Sequence, residues 1–364
     1  MPRSNKEQIR VGIIGTGFAR RVQLPTFHAT PGVQVVAVCS AHRDRAEAAA
    51  QEFGIPQAFS DYRQMLQTGE LDLVSIVTPP HLHLPMGLAA IEAGTHLLLE
   101  KPMALDLSEA RQLYQQAESA GIVHLIDHEL RFSPARRRFK ELVDQGFLGQ
   151  LYQVTVSLAT GLRADPERPW DWWSEAAKGG GLLGAVGSHQ IDQLRWWFGE
   201  IERAAGLLET FIKERPLAGM GGQTRLVEAD DFCSFQLRFA TGALATVTLN
   251  SVARHVQGWQ RVEAYGSEGT LILDRGRLWG ARSDEQELTE QTPDDPLQGQ
   301  VTGLPEGEFP QAFIHLTRAL VESLRQGQAP EGSASFYDGM RCQAVLDAIR
   351  RSQAEEGRWV PCGA

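Results

Sequence analysis

The sequence predicts an α/β domain with a parallel sheet, followed by an α+β domain built on an antiparallel sheet. Three observations carry this. The first third of the chain alternates short apolar runs with helical stretches that end in glycine. A glycine turn, "GTGFAR", closes the first apolar run. Past the first 150 or so residues, strand-like runs follow one another across short turns with few helices between them. A length of 364 residues accommodates about two domains, and we place them at 1–126 and 127–364.

The elements of the first domain read in order. "IRVGIIG" (Ile9–Gly15) and "VQVVAVCS" (Val33–Ser40) are the first two strands. "LDLVSIVTPP" (Leu71–Pro80) is the third, stopped by prolines that cannot donate to a ladder. "THLLLEKP" (Thr95–Pro102) and "GIVHLI" (Gly121–Ile126) follow. Their unbroken apolar character suits strands buried on both faces. Between them, "RDRAEAAAQEFG" and "HLPMGLAAIEAG" are helices that close on Gly54 and Gly94. "DLSEARQLYQQAESAG" has Asp106 and Glu109 at capping-box spacing and ends at Gly121.

In the second domain, "LYQVTVSLA", "DFCSFQLRF", "GALATVTLNSVA", "WQRVEAYG" and "GTLILD" read as antiparallel strands, with turns at Ala240–Gly242 and Gly266–Gly269. Helices are expected over Leu182–Phe198 and around Asp338–Arg351. The polar, aperiodic Ser283–Gln300 reads as a loop. "ARRRFK" (Ala135–Lys140) reads as the solvated face of a helix whose apolar side is Phe139, Leu142 and Val143.

Composition narrows the function. A net charge of -10 repels phosphate backbones, which argues against a nucleic-acid partner. No apolar run reaches the roughly 20 residues of a membrane span, and the N-terminus goes straight into a strand pattern. The four cysteines lack metal or redox spacing. The expectation is a cytoplasmic protein with no membrane partner.

The chemistry-bearing residues follow. Gly15-Thr16-Gly17 directly after the first strand suits a dinucleotide: the first glycine permits the tight turn and the second lets backbone approach a pyrophosphate. Arg20 stands where the third glycine of that pattern usually falls. At the end of the second strand, where NAD-specific folds carry an acid, this chain has Ser40, with Arg43 close behind. That pair favours NADP(H) over NAD(H); the competing reading makes Arg43 a surface residue and leaves Asp44 for NAD(H). Lys101 in "EKP" ends a strand, where open α/β sheets bind ligands, and Glu100 is placed to orient it. "HLIDHE" carries His124 and His128 beside Asp127 and Glu129, but a strand and its end do not give helical ligand spacing, so no metal is expected.

Together, "GTGFAR", "VTPPHLH", "EKPMAL", "RFSPA", "GGGLLGAVGSHQID" and "YGSEGTLIL", in this order over nearly the whole chain, resemble the Gfo/Idh/MocA oxidoreductases. The resemblance implies an α/β N-terminal Rossmann domain plus an α+β C-terminal domain with a large, mostly antiparallel open sheet. It implies an NAD(P)-dependent enzyme acting on a hydroxyl of a sugar, inositol or related polyol. It also implies a homodimer or homotetramer associating through that sheet. Lys101 is then beside the nicotinamide and the reacting hydroxyl, and His189 is its usual catalytic partner. The cofactor-binding residues are Gly15, Gly17, Phe18, Ala19, Ser40, Arg43, Thr78, Pro79, His83, Glu100 and Lys101; His83 reads equally as a cap of the next helix.

One departure matters. Relatives often carry an aspartate four residues before the histidine, and here position 185 is alanine. Asp192, three residues past His189, either orients the imidazole or pairs elsewhere, for instance with Arg195. Arg131, Arg163, Trp170 and Trp172 are candidate substrate contacts, with surface charge or core packing as the alternative reading for each. Retention of Lys101 and His189 favours an enzyme; Ala185 keeps open a non-catalytic nucleotide-binding sensor of the same fold.

Overall fold

The computed structural model describes residues 8–68, 70–256 and 258–363. The chain divides into two units. One gathers Met1–Ala104, Ser108–Ser133 and Asp295–Met340; the other gathers Leu105–Leu107, Pro134–Asp294 and Arg341–Ala364. A single cut after residue 126 is therefore replaced by a chain that returns to the first unit near its end.

Among the described residues, the first unit holds six strands: β1 (Ile9–Ile14), β2 (Val33–Cys39), β3 (Gln57–Phe59), β4 (Leu73–Ile76), β5 (His96–Leu99) and β6 (His124–Ile126). They form one parallel sheet in the order β3-β2-β1-β4-β5-β6. The order reverses between β1 and β4, which puts a crevice at the strands' carboxyl ends. β4 and β5 are buried along their whole lengths, as their unbroken apolar runs predict. The helix after "GTG" is not continuous: Gly17–Arg21 and Gln23–Ala29 are separated at Val22. Arg43–Phe53 stops on Gly54 in a left-handed conformation, as expected.

The returning segment supplies the helix Glu308–Arg325, which composition alone did not suggest. Phe313, Leu316, Leu320 and Leu324 form its buried stripe. Phe313 meets Phe27 edge to face, ring centroids 5.6 Å apart. That packing is why residues 295–340 belong with the first unit.

The second unit holds β7 (Leu151–Ala159), β8 (Ile201–Glu209), a small β9 (Glu214–Pro216)–β10 (Thr224–Leu226) hairpin, β11 (Phe232–Phe239), β12 (Leu244–Asn250), β13 (Trp259–Gly266), β14 (Gly269–Asp274), β15 (Arg277–Arg282), β16 (Thr289–Glu290) and β17 (Val360–Pro361). All but the hairpin join in the order β16-β15-β14-β13-β7-β12-β11-β8-β17. Every pair is antiparallel except β7 with β12. One face is packed by Val154, Val156, Phe235, Leu237, Val247 and their neighbours against the helices Pro134–Asp144 and Ser188–Phe198. In the first of these, Arg136 is not solvated as expected: it is buried, donating to Gln193 and to Gln260 Oε1, the latter at 3.0 Å. Burying a guanidinium is tolerable because its donors are met. Among the described residues no helix is long and apolar enough to cross a membrane.

Candidate active site

In the first unit, the turn after β1 is shaped by β4. Gly15 has φ +108°, and a Cβ there would lie 2.2 Å from the Val77 carbonyl oxygen. Only glycine fits that close approach. Gly17 is exposed, and a Cβ there would meet nothing within 4 Å. The turn thus presents bare backbone, the feature a pyrophosphate requires. Ala19 is buried and Phe18 half-buried beside it. Arg20, in the place of the third glycine, pairs with Glu52. Ser40 is buried at the end of β2 and accepts the His42 N–H at 3.4 Å; Arg43 is exposed and pairs with Glu47 at 2.8 Å.

Thr78 and Pro79 follow β4 at the same sheet edge. His83 does not open toward a ligand. It is fully buried, with Nε2 2.8 Å from the Thr78 carbonyl and Nδ1 3.1 Å from that of Pro102. Burial pushes its pKa down to about 4, against the pull of those carbonyls. The ring braces the segment after β5, which contains the cis Lys101–Pro102 peptide. The expected cofactor contact at His83 is replaced by this internal role.

Lys101 is half-buried directly after β5. Behind it lies a network that sequence reasoning did not assemble. Ser75 donates to Gln23 Oε1 at 2.6 Å, which turns the Gln23 amide nitrogen toward two carboxyls. That nitrogen donates to Glu100 Oε1 at 3.2 Å and to Asp127 Oδ2 at 3.0 Å. All four side chains are buried. Burial raises the Glu100 pKa, opposed by the Lys101 charge and by hydrogen bonds. Asp127 is raised well above the usual carboxylate range, by burial first and then by the charges of Glu129 and Glu100. The available signal was topological. β5 and β6 pair in parallel with Leu99 opposite Ile126, so the acids that follow each strand are neighbours.

In the second unit, the glycine run is closely packed by the protein's own atoms. A Cβ on Gly180 would lie 2.5 Å from the Trp173 carbonyl oxygen, and one on Gly181 2.3 Å from Asp230 Oδ1. Asp230 receives the Leu183 N–H at 2.7 Å and its carbonyl receives the Leu182 N–H at 2.9 Å. Burial pushes the Asp230 carboxyl up to about 6, with the Leu183 N–H opposing. The helix expected over Leu182–Phe198 opens as a π-helix, Leu183–Gly187, and becomes α at Ser188. Ala185 therefore lies within the π-turn, and His189 lies in the α-helix that follows it. His189 and Asp192 are both buried. Gln190 accepts from Gln260 at 2.8 Å, which ties this helix to β13. Arg195, proposed as a partner for Asp192, pairs with Glu200 at 2.5 Å.

The four remaining candidates are held by intramolecular contacts. In the first unit Arg131 is buried against Asp338 at 3.1 Å. In the second, Arg163 is buried and pairs with Asp171 at 3.2 Å. Trp170 donates to the Leu226 carbonyl at 3.1 Å and is covered by Arg225, 4.1 Å above its ring. Trp172 is half-buried beside Trp173.

Residues 9–128 match the model of an oxidoreductase family with an NAD-binding Rossmann fold, GFO/IDH/MocA, and residues 136–272 match the GFO/IDH/MocA C-terminal domain. An uncharacterised oxidoreductase of Synechocystis is 32% identical over 97% of this chain and 95% of its own. Levoglucosan dehydrogenase of Pseudarthrobacter phenanthrenivorans is 28% identical over 97% and 98%. A solved levoglucosan dehydrogenase, in complex with NADH and levoglucosan, superposes with a TM-score of 0.88 at 27% identity, over 98% of this chain and all of that one.

Proposed function

Because the chain belongs to the GFO/IDH/MocA family of NAD-binding oxidoreductases, we propose that it moves hydride between a nicotinamide and the hydroxyl or keto carbon of a sugar, inositol or related polyol. The observation that carries this reading is the row of turns on one sheet edge: bare backbone at Gly15–Gly17 after β1, Thr78–Pro79 after β4, and Lys101 after β5. These residues suit a bound dinucleotide, whose nicotinamide supplies the hydride acceptor or donor. Lys101 takes up the hydroxyl proton as an amine, or stabilises the developing alkoxide as an ammonium. His189 is the second proton-handling group, with Asp192 one turn further along its helix. Of the candidate substrate contacts, we keep Trp172, whose half-buried ring suits stacking on a sugar face. The levoglucosan complex of the relative makes levoglucosan the first substrate to try.

For the adenosine end we favour NADP(H) over NAD(H). The exposed Arg43–Glu47 pair is worth at most about 1 kcal/mol, so Arg43 is readily drawn to a 2′-phosphate. Arg43→Ala then weakens NADPH at least tenfold and leaves NADH unchanged; equal effects on both reject the preference. Self-association through the sheet of the second unit, and a cytoplasmic location suited to four buried thiols, complete the proposal.

The test is absorbance at the reduced-nicotinamide band with levoglucosan, other sugars and inositols. Lys101→Ala is expected to lower turnover by about 10²–10⁴ while NAD(P)H affinity is retained. Undiminished turnover sinks the role of Lys101. Tight cofactor binding without turnover of any compound favours the sensor reading left open by Ala185.

A further inference from the structure

We propose that Glu100 and Asp127 share a single proton and act as positioning residues for Lys101, exchanging that proton with its amine so that the lysine is free to receive one from the reacting hydroxyl. This rests on the reading of Lys101 given above. The geometry comes first. Ser75 fixes Gln23 with its nitrogen toward both carboxyls, so one NH2 group serves two acids. Glu100 and Asp127 are 8% and 1% exposed, too little for water to carry two adjacent negative charges. Asp127 Oδ1 is buried, and among the described residues no hydrogen-bond donor reaches it. A proton held between the two acids supplies that missing donor.

Charge counting agrees. Lys101 is among the charges that favour ionisation of the pair, and Glu129 among those that oppose it at Asp127. A shared proton removes one of the two adjacent negative charges, the usual outcome for two carboxyls in one buried site. The raised values of both acids point the same way.

The step balances within the protein. The Lys101 ammonium gives a proton to the singly protonated pair: an N–H bond breaks, an O–H bond forms, and the net charge of the three groups is unchanged. The nitrogen lone pair so exposed is the one that accepts the hydroxyl proton. Reduction runs the same transfers backward. No further reactant is needed.

The experiment is infrared spectroscopy of the purified wild-type protein, without substrate, at about pH 8, with exchange into deuterium oxide. Asp230, held up to about 6, is ionised there and does not interfere. A deuterium-sensitive protonated-carboxyl band is expected in the wild type and lost in both Asp127→Asn and Glu100→Gln. Absence of the band in the wild type overturns the proposal whatever the activity, even if both variants fail to fold. A band that survives in either folded variant also overturns it. Once a turned-over sugar is in hand, Asp127→Asn moves the acidic limb of the kcat/KM profile by a pH unit or more with NAD(P)H affinity intact; an unmoved limb removes the coupling to Lys101. Failure of the Lys101→Ala test with the band present refutes the role of Lys101 and leaves the shared proton standing.

Discussion

Gly15 and Gly17 stand two residues apart in one turn, yet the structure assigns them opposite liabilities. Gly15→Ala forces an L residue to φ +108°, where strained backbone costs about 1–3 kcal/mol. It also puts a methyl group 2.2 Å from the Val77 carbonyl oxygen, about an ångström inside contact distance. The carbonyl belongs to the backbone just past β4, so relief requires moving the sheet edge. A loss of at least about 3 kcal/mol follows, a large part of the 5–15 kcal/mol that holds typical domains. Gly17→Ala meets no neighbour and opens a helix, where alanine is favoured by about 0.5–1 kcal/mol. The ligand-free protein should therefore be as stable as wild type or slightly more so. Its methyl group nevertheless occupies the space a pyrophosphate needs, so NADH affinity should fall at least tenfold, about 1.4 kcal/mol. Urea unfolding and NADH fluorescence titration measure the two quantities separately. Wild-type affinity in Gly17→Ala would refute the pyrophosphate cradle, and wild-type stability in Gly15→Ala would refute the packing argument.

Three further expectations concern each unit on its own. The Asp230 carboxyl, raised to about 6 from 3.8, favours the folded state fully below about pH 3.8 and loses that advantage as pH rises through 6. Unfolding at pH 4 and pH 8 should show Asp230→Asn gaining about 2 kcal/mol on wild type between the two; a constant difference rejects the buried acid. His83 has the opposite sign. Lowered to about 4 from 6.5, it costs the fold about 3 kcal/mol as pH falls across that window, and His83→Gln should flatten the acid side of the stability profile. On the outward face of the large sheet, Leu244 and Tyr265 flank Gln153 in register and are 40% and 37% exposed. Leu244→Lys with Tyr265→Glu should lower the sedimenting mass if copies associate there, and an unchanged oligomer places the interface elsewhere.

Five of the six strands of the parallel sheet were legible because they are buried over much of their length and say so with apolar runs; β3, three residues at the sheet's edge and exposed or half-buried, was not. β8 was not, for a physical reason that Gly206 makes plain. A Cβ there would lie 2.7 Å from Ile349 Cγ2, and the Gly206 N–H is bonded to Ser352 Oγ at 2.9 Å. A helix pressed that closely on a strand selects Ala204, Ala205 and Gly206, small residues without strand character. The helix Glu308–Arg325 did carry a readable stripe. It is preceded by a polar stretch and has Pro310 in its first turn, which a proline tolerates but which blurs the pattern.

For the site, single residues were legible and their partners were not. Lys101 and Gly15 announce themselves because each sits in a short motif at a strand end. Asp127 was read only within "HLIDHE", weighed for metal spacing, and nothing local tied it to Lys101. Its meaning depends on β6 lying beside β5, and pairing between strands separated by a helix is not a local property of the chain. Gln23 is more distant still: it reaches Glu100 and Asp127 from the helix after β1, 77 and 104 residues away in sequence. The use of the glycine run also depends on residues outside it: Trp173 and Asp230 occupy the space that side chains at Gly180 and Gly181 would have taken. The π-turn that the run leads into holds Ala185, and the α-helix beyond it holds His189, a boundary that the helical pattern of the sequence did not show. Asp192 is buried one turn from His189, but the two buried acids bridged by a single amide are Glu100 and Asp127, next to Lys101.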